Sequence, residues 1–329
     1  MYRFVGAAAA LLGAISVNTH ASAQEQTLRV VTGTPVNLVW NGPLQEVIAA
    51  VNERGAGIIK MELLGGPEAV PVTEQFRGIS TGVFEVQFGP NQYLQGDIPA
   101  SQVFNGSNRT AMELRADGAF DVLNEFYNEQ GNIQYLGYFG SGYQFHLMLT
   151  KVPPEGGEFG RDFSGLRVRG TGTFGPFFDK LGITLRDIQV GEVYTALERG
   201  GIDGVGWVTL ASLDLGFDDF IKARILPTWW QGDLGMTINL DTWNALSDEA
   251  KTILTEEVTA AEERAHAYFV GLSEKEAAGF DAAGAEVIQL EGEGAANFLD
   301  AAYSSRWDEI IQRMGEEDGA ALRDLFYRP

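Results

Sequence analysis

The sequence predicts an α/β protein of two lobes, each a sheet flanked by helices, with a ligand cleft between the lobes and a long helix bracing both. Three observations carry this. Strand-like and helix-like patterns alternate as βαβαβ near the start of the chain and again in its middle. The Pro/Gly-rich run Lys151-Val-Pro-Pro-Glu-Gly-Gly157 separates the two units. After Ser247-Asp-Glu, a good helix start, no strong breaker occurs before Gly271.

The first unit opens with an apolar strand at Leu28 to Val31. Leu44, Val47, Ile48 and Val51 then recur at i, i+3, i+4 and i+7, and Pro43 suits the first turn of that helix. A strand from Ile58 to Leu64 ends at Gly65-Gly66, a helix covers Val72 to Ile79, and Val83 to Phe88 reads as a third strand. In the second unit Leu166 to Arg169 is a strand, and Phe174, Phe177, Phe178 and Leu181 share one helical stripe. Ile183 to Ile188 is the next strand, Val193, Ala196 and Leu197 line a helix that Gly200-Gly201 can end, and Ile202 to Val208 returns as a strand. Beyond Gly292 the tail reads as helical, with Phe298, Ala301, Ala302 and Trp307 as its buried face. The expected division is a signal peptide over 1–23, the first part of lobe I over 24–150, the main part of lobe II over 151–235, and a return to lobe I with the long helix and C-terminal helices over 236–329.

The 329 residues are 45% hydrophobic and 11% aromatic, enough for substantial cores. A net charge of −22, from 23 basic and 45 acidic residues, argues against nucleic-acid or anionic-membrane partners, which require basic surface. Arg3, the apolar stretch Val5 to Val17 and the small residues Ala21-Ser-Ala23 make an export signal, so the protein is expected outside the cytoplasmic membrane. The apolar run is too short to span a bilayer. With no cysteine, disulfides, thiol catalysis and cysteine metal sites are excluded, and stability must come from packing.

The chemistry concentrates in Gly165-Leu-Arg-Val-Arg-Gly170, Glu192-Val-Tyr-Thr-Ala-Leu197 and Asp203-Gly-Val-Gly-Trp207. Side-chain alternation puts Arg167 and Arg169 on one face of a short strand and Leu166 and Val168 on the other. Arg169 stands at the carboxyl end, before a Gly-rich turn and a helix, where open α/β sheets bind ligands. Its planar fork of donors matches a carboxylate, and a buried guanidinium lacking an internal partner needs an anion. The competing structural role is a fixed salt bridge. Trp207 offers either an apolar ligand wall or core packing. Gln144 can donate or accept in the cleft or satisfy buried backbone. His146, two residues on and on the same strand face, would bring a pH-sensitive donor, though a lone His is more often structural.

In order and spacing together these segments resemble the solute-binding proteins of tripartite ATP-independent periplasmic (TRAP) transporters. That family carries a strand of the form G-L-K-I-R, then E-V-Y-x-A-L, then V-D-G or V-D-A, matched here by Gly165 to Arg169, Glu192 to Leu197 and Ile202-Asp-Gly204. The branch containing 2-oxo acid binders looks closest: its V-D-A-x-E-W-V corresponds to Ile202 to Val208, its G-x-x-Q to the stretch Gly140-Ser-Gly-Tyr-Gln144, one residue longer, and its P-x-W-W to Pro227 to Trp230. The resemblance implies a periplasmic, two-lobed, non-enzymatic receptor that closes on a small organic acid and delivers it to a membrane permease. Arg169 would grip the carboxylate, Gln144 would hydrogen-bond, Trp207 would form a wall, and Trp230, Gln231 and Tyr93 would lie near the same cleft. One departure matters. Members with a metal ion beside the ligand use the Glu before the Trp, and here that position is Gly206, which disfavours a sodium or calcium ion; no other cofactor is expected. Monomer and homodimer both stay open.

Two enzyme readings compete. Gly170-Thr-Gly-Thr-Phe-Gly175 is a literal G-x-G-x-x-G between a strand and a helix, with Asp187 beyond it, as in dinucleotide-dependent oxidoreductases. The export signal, Pro176 after the last Gly and the mid-chain position argue against it. Gly78-Ile-Ser-Thr-Gly82 matches a hydrolase nucleophile elbow, but Ser80 ends a helix before a strand, the reverse of that geometry, and only His146 and His266 follow the signal. A sensor presenting the same ligand to a receptor is the third class.

Overall fold

The computed structural model describes residues 25–328, so the expected signal peptide over 1–23 lies outside the described residues. Strand β1 (Gln26–Thr32), helix α1 (Gly42–Arg54), β2 (Ile59–Gly65), α2 (Val72–Ser80) and β3 (Val86–Pro90) form the first βαβαβ unit, in which β1 pairs in parallel with β2 on one side and β3 on the other. Leu44, Val47 and Val51 are the buried stripe of α1, and Pro43 sits in its first turn. After a stretch of 3-10 turns come α3 (Ala111–Ala116), α4 (Ala119–Gly131) and β4 (Ile133–Tyr138), none of which the sequence pattern announces.

The chain then crosses into a second sheet with β5 (Gln144–Leu149), ahead of the boundary expected at residue 150. Strand β6 (Arg167–Arg169), α5 (Gly175–Lys180), β7 (Thr184–Arg186), α6 (Val190–Glu198) and β8 (Gly204–Val208) are the second βαβαβ unit, again with the first strand between the other two in parallel. Val168, Phe174, Phe177, Phe178, Leu181 and Ile183 bury together on one side of this sheet, and Val193, Leu197, Ile202 and Val205 on the other. Strand β9 (Ala223–Gln231) ends the second sheet's main part, and β10 (Leu234–Asn239) returns to the first, antiparallel between β3 and β4. The sheet orders are β2-β1-β3-β10-β4 and, with β11 below, β11-β9-β5-β8-β6-β7.

Helix α7 (Leu240–Ala245) leads to α8 (Asp248–Ala282), capped by Ser247, whose hydroxyl accepts from the Ala250 N–H. Its 35 residues run through Gly271, where a break was expected. A single interior glycine costs only about 1 kcal/mol, which burial on both sides of it outweighs: Leu254, Val258, Ala261, Ala265 and Phe269 pack into the first lobe and Phe280 into the second. Strand β11 (Glu286–Gln289) adds to the second sheet beside β9, so the C-terminal quarter does not belong wholly to the first lobe. Helix α9 (Gly292–Met314) is a second brace, burying Phe298, Ala301 and Ala302 in the second lobe and Trp307 and Ile310 in the first. Helix α10 (Glu316–Phe326) closes the chain against the first lobe.

The two crossings touch. A Cβ on Gly232 would lie 2.0 Å from the Tyr143 ring, and one on Gly140 would lie 2.2 Å from the Gly232 carbonyl oxygen. Side chains are excluded where the strands change sheets, which lets both crossings share one narrow waist beneath the cleft. Above the waist, Glu262 of α8 holds Arg115 with one oxygen at 2.5 Å and accepts the Tyr138 N–H at 2.6 Å, locking α8 to the start of the crossing.

Candidate ligand-binding site

Between the lobes lies a cavity of about 640 Å³. Gly33, Pro35, Trp40, Pro90 and Tyr93 line it from the first lobe, and Arg169, Phe174, Val190, Trp207 and Leu215 from the second. Trp230 and Asp233 line it from the returning crossing. Most of this wall is apolar or aromatic, with few polar groups, the usual makeup of a small-molecule site.

Arg169 ends β6 facing the same side as Val205 and Trp207 of the neighbouring strand. Only 7% of it is exposed. The guanidinium carbon stands 4.7 Å from the centre of the Trp207 ring, a cation–π contact that fixes the plane of the fork. Its Nε donates to the Ile188 carbonyl at 3.3 Å. Among the described residues no carboxylate forms a salt bridge with it, and the two Nη groups have no hydrogen-bond acceptor. Burial holds its pKa below the ordinary guanidinium value, and Asp187 opposes that shift from a distance. The charged end therefore presents two unengaged nitrogens, the geometry a carboxylate accepts bidentately.

Arg167, on the same strand face, is engaged. Its Nε reaches Asp203 at 2.9 Å, Nη2 reaches the other oxygen at 3.2 Å, and its backbone N–H also donates to Asp203 at 3.0 Å. The Asp203 carboxyl is held below its usual pKa, first by the Arg167 hydrogen bond.

Trp207 donates its ring N–H to the Leu210 carbonyl at 3.1 Å, meets Phe217 edge-on and carries the Arg169 guanidinium over its ring, while forming part of the cavity wall. Trp230 arrives by a bulge. Gln144 pairs with Gln231 and Phe145 with Trp229, leaving Trp230 as the extra residue on β9 with φ of 35°. A bulge re-aims one side chain, here against the cavity, and the Trp230 ring N–H is anchored on the Ala302 carbonyl at 2.9 Å. Tyr93 is half-exposed at the rim.

The remaining three expected residues do not line the cavity. Gln144 accepts from the Thr228 hydroxyl at 2.5 Å, and Gln231 is buried beside Tyr138, whose hydroxyl reaches its side-chain oxygen at 3.3 Å. His146 does share a strand face with Gln144 and sits opposite Trp207, as alternation requires. It lies deeper, however, at 2% exposure, on the face covered by α8, where its Nε2 finds no partner among the described residues. Burial, with the Arg224 charge adding to it, depresses its pKa to about 3, so it stays neutral and offers no pH-sensitive donor to the cleft. The side chain that points from β5 into the cavity is its alternate neighbour Phe145.

Gly206 is a packing requirement. A Cβ there would stand 2.9 Å from Phe178 and 3.2 Å from Phe174, so aromatic rings occupy the space that a longer side chain needs. Among the described residues no cluster of three or more His, Cys, Asp or Glu has metal-binding geometry. The Gly170 to Gly175 turn does lie between a strand and a helix, but that helix, α5, has six residues with Pro176 in its first turn. A Cβ on Gly170 would meet Leu185 at 2.9 Å and Phe174 at 3.1 Å, and Thr171 and Thr173 line the cavity, so the turn belongs to the same site. Ser80, the last residue of α2, donates to the Gly131 carbonyl at 2.5 Å as a structural hydroxyl.

Sequence reasoning missed Asp233, Tyr143 and Phe145. Tyr143 and Asp233 sit in crossings between sheets, where no periodic signal marks them.

Two sheets joined at a waist, with a mainly apolar cavity and one unengaged arginine between them, define a two-lobed binding protein. Residues 33–313 match the family described as bacterial extracellular solute-binding protein, family 7, and the chain belongs to that family, as its motifs indicated. A monocarboxylate 2-oxoacid-binding periplasmic protein of Nostoc sp. is 26% identical over 237 residues, 68% of this chain and 63% of the relative. The chain thus matches just under two thirds of that curated relative's length. A TRAP periplasmic solute-binding protein from Ochrobactrum anthropi, solved with its C-terminus bound in the ligand-binding pocket, superposes with a TM-score of 0.79 at 19% identity, covering 92% of this chain and 95% of that one. A TRAP transporter solute-binding protein from Bordetella bronchiseptica, with copurified calcium and picolinate in its active site, gives 0.71 at 21% identity and 92% of each chain. At these identities the likeness shows the fold.

Proposed function

We propose that this protein is the periplasmic receptor of a TRAP transporter, that it captures a small organic carboxylate on Arg169, and that it delivers the acid to a membrane permease. The observation that carries this reading is the buried guanidinium with two unengaged nitrogens at a strand end, inside a mainly apolar cavity. When the lobes close and water leaves, such a cation needs an anion, so closure is coupled to occupancy. The Trp207 and Trp230 rings and Phe145 provide apolar wall for the rest of the acid. A ligand of about 8 heavy atoms at near 1 kcal/mol each reaches about −8 kcal/mol, a micromolar dissociation constant.

Two relatives support an acid of this kind: the Nostoc protein by its 2-oxo monocarboxylates and the Bordetella protein by its picolinate. In this chain the ligand binds without a companion cation, because Phe174 and Phe178 fill the space beside Gly206. Thermal-shift screening against oxo, hydroxy, amino and aromatic acids tests the reading. At least one acid should raise Tm in proportion to the logarithm of its concentration. Silence across the whole panel, or an unchanged shift in Arg169→Ala, would overturn it.

A further inference from the structure

The cavity holds a second buried charge that the carboxylate grip does not use. Asp233 follows Gly232 at the crossing from β9 to β10, lines the cavity, and is 3% exposed. One of its oxygens accepts the Gln92 N–H at 2.7 Å. Among the described residues no side chain donates to it. The Arg306 charge of α9 is felt by Asp233, yet the two form no salt bridge: Arg306 Nη1 is held by Glu309 at 2.8 Å, and its guanidinium lies over the Trp230 ring at 5.9 Å from the ring centre. Arg169 belongs to a different wall, at the end of β6, and its ring partner is Trp207. Burial pushes the Asp233 pKa up to about 6, with the Gln92 N–H opposing.

A buried carboxylate whose only donors are the backbone N–H groups of Gln92 and of Asp233 itself retains acceptor capacity that solvent satisfies only while the cleft is wet. On closure, a donor-free acid would leave those lone pairs orphaned, at a cost comparable to losing a charged hydrogen bond. A second carboxylate placed there would be repelled. From this we infer that Asp233 is a specificity determinant and that the ligand is a carboxylate that also carries an N–H or O–H donor, its carboxylate on Arg169 and its donor on Asp233. The inference rests on the carboxylate-receptor reading above and narrows its substrate class. Sites that hydrogen-bond a ligand donor reject the analogue lacking it far more strongly than apolar walls reject a missing methylene.

Matched acids test this: phenylpyruvate, phenyllactate and phenylalanine on one skeleton, and benzoate, 3-hydroxybenzoate and 4-hydroxybenzoate on another, by calorimetry on the full mature chain. In at least one series a donor-bearing acid should bind about tenfold or more tightly than its donor-free partner, and the hydroxyl and ammonium arms identify which donor is taken. Asp233→Asn, which keeps an acceptor for Gln92, and Asp233→Ala should each cut that advantage to below about threefold, with the donor-bearing acid weakened and the donor-free acid unchanged or tightened as the orphaned carboxylate is removed. Their ligand-free melting curves show whether each variant is folded. Equal binding of donor-bearing and donor-free acids in both series, an Asp233 variant that weakens donor-bearing and donor-free acids to the same extent, or binding of no acid overturns the inference. If donor-free acids bind and Arg169→Ala abolishes them, the receptor reading stands and only the Asp233 role fails. If Arg169→Ala leaves all binding intact, the failure is in the receptor reading itself.

Discussion

Arg167 and Arg169 leave one strand face two residues apart, and the molecule treats them oppositely. Arg167, at the end of β6 away from the cleft, is partly exposed and clasped by Asp203 through both side chain and backbone. Arg169, at the cleft end, is deeply buried and has a ring and a carbonyl for neighbours but, among the described residues, no carboxylate bonded to it. Exposed ion pairs add little and cost little, so the first arrangement is an ordinary way to finish a strand. A buried cation without a counter-ion is unfavourable for folding and persists only where the surrounding structure over-determines it. The contrast teaches that proximity to acidic residues does not decide an arginine's role. What decides it is whether the partner is built into the fold or must arrive from solution.

The largest effect that would break this comparison is on binding. Arg169→Ala should lower affinity for the cognate acid about 100-fold or more, measured by calorimetry, while ligand-free Tm stays level or rises as an unpaired buried charge is removed. A large drop in ligand-free Tm would mean that Arg169 is structural after all. Next is the packing beside it. Gly206→Glu should destabilise the fold by about 1–3 kcal/mol through overpacking against Phe174 and Phe178, read from denaturant midpoints. Acquired sodium or calcium dependence of binding in that variant would contradict the packing account.

The third test uses pH. His146 stays neutral in the native protein to about pH 3, whereas in the unfolded chain it titrates near 6.5. As pH falls below 6.5 the unfolded state gains a proton that the native state refuses, so stability is lost; at pH 5 the loss is about 2 kcal/mol. Asp233 and Glu262, both raised by burial, act with the opposite sign over the same range, since their native forms take up protons first. The difference between wild type and His146→Leu isolates the histidine: the variant should lose less stability between pH 7 and pH 5. Parallel curves would show that His146 is protonated in the fold. The smallest expected effect completes the comparison. Arg167→Ala should lower Tm by a few degrees at most and leave ligand affinity within about twofold, because its bonds close on Asp203 outside the cavity.

Much of this is legible in the sequence. Helix α1 follows from Leu44, Val47 and Val51 at helical spacing, and α8 from the Ser247 cap and the breaker-free stretch after it, because periodicity and caps are local properties of the chain. The position of Arg169 at a strand's carboxyl end follows in the same way. Strands β4, β10 and β11 did not announce themselves. Strand β10 inserts antiparallel between β3 and β4, and β11 joins β9, pairings fixed by partners far along the chain. The depth of His146 was also hidden: alternation assigns its face correctly, but only tertiary packing on that side of the sheet, to which Phe280 of α8 contributes, decides its burial.

Residue order alone therefore settled the alternating elements, the two-lobe plan and which guanidinium stands at the cleft end of its strand, since each depends on neighbours a few positions away. Tertiary structure alone decided that Asp203 closes on Arg167 and not on Arg169, that a bulge turns Trp230 to the cavity, and that Asp233 is brought into the same cavity as Arg169. Those outcomes depend on contacts between segments distant in the chain, where burial and the presence or absence of a partner, rather than side-chain pattern, set the energy.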